Sequence, residues 1–198
     1  MNYPNAASGL KTMLAAQILT IAGSIIAVVG VVLTVVSLGI LFFVPLLGGL
    51  LAFVGGILEI WGLFKAGADD EGYRGALLFA VIAVVAGVVG DWVPEDAAFL
   101  QALMTIVNSV LTFLVVNAVC QTTGNLLRSL GNAALEERAN TVSKLYFICT
   151  AITVICTIVG AIPIVNILAG LASFVGAIIT IVGYFLYLGF LSAGSRAL

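Results

Sequence analysis

From Thr12 to Leu58 the chain carries no charged residue, a run of 47 residues between Lys11 and Glu59. As one helix it would be about 70 Å long at ~1.5 Å per residue, whereas a bilayer crossing needs only about 20 residues. The run must therefore fold back on itself. The break falls at "FFVPLLGG", where Pro45 suits the first turn of a second helix. The same pattern runs from Leu145 to Ser195 and breaks at "GAIPIVN" around Pro163. Between these stretches lie two further apolar segments separated by "GDWVPED" with Pro94. The pattern predicts six spans, at 11–39, 45–66, 73–92, 95–121, 142–162 and 163–191. The third is short, with 16 residues between Arg74 and Asp91; snorkelling of Arg74 and an interfacial Trp92 let it reach across.

The expected fold is all-α: a polytopic membrane protein of six helices in three tight hairpins, with residues 1–198 as one membrane domain. Charge tests the topology independently, because the spans follow from apolar length and proline alone. Lys11, Lys65, Arg74, Arg128, Arg138, Lys144 and Arg196 all fall on one side of the six-span order, and the three opposite turns have no basic residue. The positive-inside rule then puts both termini in the cytoplasm. The other turns carry only acids, Asp91, Glu95 and Asp96, the last two where a helix dipole favours them. After the fourth span, "LLRSLGNAALEERAN" keeps helical periodicity. It reads as an amphipathic extension of the fourth and fifth helices, with a solvated linker as the other reading.

Within the spans, small residues recur every three or four positions and so share one helix face. The first span has Ala16, Thr20, Gly23, Ala27, Gly30 and Thr34, and the second Gly48, Ala52, Gly55, Glu59, Gly62 and Ala66. Such faces let membrane helices approach closely. They serve a compact bundle or contacts between subunits. "FVGGILEIWGLF" at 53–64 returns as "FVGAIITIVGYF" at 174–185, an offset of 121 residues. Hairpin 11–66 thus reads as repeated, in parallel, in 142–191; chance alignment of apolar helices is the other reading.

Composition narrows the classes. The chain is 63% hydrophobic and 8% charged, with mean hydropathy +1.29, against roughly a quarter charged in soluble domains. The first apolar run is too long for a cleaved signal peptide and is expected to stay in the mature protein. No soluble catalytic domain is expected beside the membrane domain. A net charge of −2 leaves no footprint for nucleic acid. Cys120, Cys149 and Cys156 lie in apolar runs and read as buried thiols, and histidine is absent. Phosphate-binding loops, zinc motifs, a nucleophile triad and paired intramembrane acids are all missing from the sequence. The chain is expected to be no enzyme and to need no cofactor or metal.

Few residues remain to carry chemistry. Glu59 lies on the small face of the second span, about two turns from its cytoplasmic end, and so faces protein. An intramembrane acid costs at least about 2.5–3.5 kcal/mol to insert, which makes it a candidate site. Pairing with Lys144 or Arg74, a proton or cation site, and an oligomer contact are the roles open to it. Asn108 stands fourteen residues after Pro94, as Glu59 does after Pro45, so the two share a depth and can meet. Gln101, Thr105 and Thr112 continue the Asn108 face, and Thr180 occupies the Glu59 position in the second repeat copy. Glu59, Asn108, Thr112 and Thr180 are the polar candidates. Asn117 and Gln121 form a second, interfacial face.

The expected function is passage of a small solute or ion through the bundle or a homo-oligomer; the alternative is an accessory membrane subunit assembling through small-residue faces. Expected partners are the lipid bilayer and either a second copy or another membrane subunit. The absence of N-x-S/T sequons and the short loops fit a prokaryotic cytoplasmic membrane. In size, span count and orientation the chain is similar to the vitamin-binding subunits of energy-coupling-factor importers. That likeness is one of architecture only, and the short outer turns leave little with which to cap a vitamin.

Overall fold

The computed structural model describes residues 3–37, 41–94, 97–160 and 166–198; the side chains of Asp91 and residues 166–173 are outside the described set. The turn at Pro163 and the acids Glu95 and Asp96 also lie outside it. The described residues form six helices: α1 Pro4–Val36, α2 Phe43–Ala66, α3 Gly72–Asp91, α4 Ala98–Ser129, α5 Ala133–Gly160 and α6 Asn166–Ala197. All six are long and apolar enough to cross a membrane. Their large apolar side chains point outward, as at Val28, Phe53, Phe64, Phe99, Ile155 and Phe185, the arrangement lipid requires and water forbids. This is a multi-pass membrane protein.

Apolar length underestimates the helices. α4 runs to Ser129 and α5 starts at Ala133, beyond the spans ending at 121 and starting at 142, because the polar "LLRSLGNAALEERAN" is itself helical. Gly131, at φ 77°, makes the turn, and the Asn132 N–H donates to Leu127 O at 2.9 Å in the Schellman manner. Asn132 then caps α5 by accepting from Leu135 N at 3.3 Å. An Arg128–Glu136 ion pair at 3.7 Å bridges the two helix ends. The acidic run after α2 has a similar local use. Asp69 accepts from Ala6 N at 2.7 Å and Asn5 Nδ2 at 2.8 Å, satisfying donors at the start of α1, and Asp70 accepts from Gly72 N at 2.7 Å at the start of α3.

Each helix packs on its neighbours in the sequence, and α6 returns to α1, so the helices close a ring. The tightest seam joins α1 to α2. A Cβ added to Gly23 would fall 2.6 Å from Ala52 N, one at Gly30 2.5 Å from Pro45 N, and one at Gly9 2.5 Å from Gly62 O. The small faces of these two helices therefore meet backbone to backbone, running antiparallel. Along α6, Gly176 and Gly183 receive Ile152 and Leu145 of α5. Between α4 and α5, Ser143 donates to Asn117 Oδ1 at 2.6 Å, and Gln121, also on α4, donates to the same oxygen at 3.2 Å.

Packing is uneven along the ring. Tyr3 N donates to Leu198 O at 3.3 Å, which puts the two chain ends together. Toward that terminal end lies one apolar core in which Leu10, Met13, Leu63, Tyr73, Val119 and Leu191 have no exposure. Toward the opposite end, beyond Leu111 and Cys149, the buried positions among the described residues are the glycines Gly23, Gly30, Gly48, Gly55 and Gly176. The bundle is a cup with a sealed base at the terminal end.

Candidate functional site

A cavity of about 490 Å³ lies just above the sealed base, and all six helices line it. The α1–α2 seam contributes Gln17, Glu59 and Ile60; α3 contributes Ala80, Ala83 and Gly87; and α4 contributes Asn108, Thr112 and Val116. Tyr146 of α5 and Thr180, Tyr184 and Tyr187 of α6 complete the wall. Glu59, Asn108, Thr112 and Thr180, the four candidates from the sequence, thus lie around one space. Thr112 and Thr180 are exposed and Glu59 and Asn108 half-buried, so the hydroxyls stand toward the rim.

Glu59 reaches this position because Gly55 and Gly62, a turn to either side, bring α2 against α1. The helix then has no freedom to rotate the acid toward lipid. Across the seam it faces the side chain of Gln17, which lines the same cavity. Gln17 is held in turn from α6, where the Tyr184 hydroxyl donates to Gln17 Oε1 and lies 3.0 Å from Gln17 O. The Gln17 oxygen is thereby engaged from α6, and Glu59, Gln17 and Tyr184 of α2, α1 and α6 line one stretch of the wall. The expected ion pairs are not made. Arg74 lies by Glu71 at 4.0 Å and donates to Gly67 O at 3.3 Å, and among the described residues Glu59 has no cationic partner.

The tyrosines are the part of the site that sequence reading missed. Tyr146 and Tyr187 pack edge to face with ring centroids 5.8 Å apart. Tyr146, Tyr184 and Tyr187 line the same cavity as Glu59. Tyr187 is 1% exposed, and among the described residues its hydroxyl has no hydrogen-bond partner. Leaving a buried hydroxyl unpaired costs about 1–3 kcal/mol. By contrast the Tyr73 hydroxyl, in the sealed base, lies 2.7 Å from Thr123 Oγ1. Thr180 donates to Gly176 O at 2.9 Å, which leaves its oxygen lone pairs to accept from the cavity.

Among the described residues the wall offers one carboxyl, two amides, hydroxyls and aromatic rings on an otherwise apolar surface, without a basic side chain. Gln17, Tyr184 and Tyr187 did carry a signal. Gln17 is three residues before Thr20, and Tyr184 and Tyr187 are four and seven after Thr180, so the 3,4 spacing continues the faces already identified. The chain matches no protein-family model, no curated protein and no solved structure.

Proposed function

We propose that the protein sits in a prokaryotic cytoplasmic membrane as three hairpins, both termini inside, and passes a small solute or ion through its own bundle. One observation carries the reading: a largely apolar cavity lined by all six helices gathers the intramembrane acid and the polar groups of four other helices. Polar groups in a membrane interior are costly and mark substrate or ion paths. The positive-inside rule makes the sealed base cytoplasmic, because the seven basic residues lie toward it. The cavity then faces outward, with Glu59 and Asn108 in the path.

The accessory-subunit reading needs small faces left free for partners, and those of α1 and α2 are occupied by each other. The duplication reading is kept as part of the proposal on one correspondence. Gly55 and Gly62 seat α2 on α1 as Gly176 and Gly183, 121 residues later, seat α6 on α5. Glu59 and its counterpart Thr180 face one cavity. Two related hairpins would thus supply unlike groups to a shared site.

Efflux from proteoliposomes loaded with alkali cations, amino acids, sugars and small amines, followed by mass spectrometry, tests passage. At least one solute should leave faster than from protein-free vesicles, with the rate changed about tenfold by Glu59→Gln, roughly the 1.4 kcal/mol of one good polar contact. Equal release from both vesicle types, or indifference to Glu59→Gln, removes the reading.

A further inference from the structure

We infer that the solute is a small organic monocation, a protonated or quaternary amine seated between the Glu59 carboxylate and the tyrosines of α5 and α6. This rests on reading the cavity as a solute site and adds the chemistry of what fills it. Charge gives the sign: among the described residues Glu59 is the sole carboxyl on the wall, and no Lys or Arg lines it. An anion would find no countercharge, whereas a cation compensates the ionised carboxylate in a low-dielectric interior, where the charged form is otherwise costly.

Aromatic content gives the kind of cation. Tyr146, Tyr184 and Tyr187 face the same space, and aromatic faces attract organic cations most strongly where water is excluded. A bare metal ion instead needs about six or more close oxygens for its lost hydration shell, a shell that this largely aliphatic wall does not supply. The volume, about 490 Å³, lies in the range of small-molecule sites. Tyr187 supplies an independent pointer. It lines the cavity, and its hydroxyl is buried and unpartnered among the described residues, a polar group left for a bound solute to satisfy. The tight α1–α2 seam at Gly55 and Gly62 fixes the backbone that carries Glu59 before any ligand arrives, which lowers the ordering cost of binding.

A charge series of constant shape tests this on the full chain in lipid nanodiscs. Radiolabelled choline is displaced by unlabelled choline, by its uncharged isostere 3,3-dimethylbutan-1-ol, by the anion 3,3-dimethylbutanoate, and by butylammonium. The cations should displace at least about tenfold better than the neutral isostere. Glu59→Gln should abolish that preference, Glu59→Asp should keep part of it, and Tyr187→Phe, which removes no contact within the fold, should weaken binding a few-fold. Equal displacement by the isostere or the anion overturns the inference, as does no specific choline binding at millimolar concentration, or a preference that survives Glu59→Gln. Cation binding without efflux would end the passage reading and leave this site standing. Efflux of a neutral or anionic solute without cation preference would do the reverse.

Discussion

Two buried tyrosines in one bundle separate a partnered hydroxyl from one without a partner among the described residues. Tyr73 and Thr123 satisfy each other at 2.7 Å in the sealed base. Tyr73→Phe should therefore cost about 1–3 kcal/mol, because the Thr123 oxygen is left buried with one partner fewer. Tyr187→Phe removes a hydroxyl that has no partner among the described residues, and should leave stability unchanged or raise it by up to about 1 kcal/mol. Thermal unfolding in detergent, without added solute, checks the pair; equal losses would mean that Tyr187 has a partner within the fold. The same contrast explains what sequence reading could and could not see. Glu59 stands out because charge in an apolar run is rare, and Asn108 because an amide there needs a partner. Tyr146, Tyr184 and Tyr187 are counted as apolar bulk by hydropathy, and their hydroxyls acquire meaning only when the ring of helices brings them to Glu59.

Adjacent glycines on one helix show how far the elements themselves could be read. A Cβ on Gly48 would fall 2.5 Å from Gly23 O and 2.7 Å from Ala27 Cα, both backbone atoms that cannot step aside. Its neighbour Gly49 would meet nothing within 4 Å. Gly48→Ala should destabilise by about 1–3 kcal/mol through overpacking, while Gly49→Ala should be neutral or gain up to about 1 kcal/mol of helix propensity. Unfolding titrations of both variants in mixed micelles measure the difference, and like effects would refute the backbone-to-backbone seam. The periodicity of small residues revealed this face directly, since steric demand is written locally in which side chains are missing. Element ends were less accessible. Hydropathy registers the part of a helix in lipid, so the polar turns of α4 and α5 around Gly131 looked like either helix or linker until caps and an ion pair decided it.

At the scale of the whole molecule, sequence reading recovers six apolar helices and the end to which the basic residues belong, but not the order of helices around the ring or the depth of the seal. Those depend on which of several similar apolar faces meet, and lipid gives no hydrophobic drive to choose between them. The contacts of α6 with α1, through Tyr184 and Gln17, close the ring and convert separate polar stripes into one cavity. Sealing below and exposure above make an accessibility pattern that orientation turns into a side. In a chain whose three cysteines are replaced by alanine, Thr112→Cys occupies the exposed rim, and Ala134→Cys the exposed first turn of α5 at the terminal end. A membrane-impermeant thiol reagent should label Thr112→Cys in right-side-out vesicles and Ala134→Cys only in inverted ones. Prior incubation with choline should slow labelling at Thr112→Cys alone, because a cation held by Glu59 fills the space beneath the rim. Labelling of both positions from one side would contradict the cup, since its base would then admit the reagent. Labelling with the sides exchanged would keep the cup and invert the protein, placing the basic end outside against the positive-inside rule.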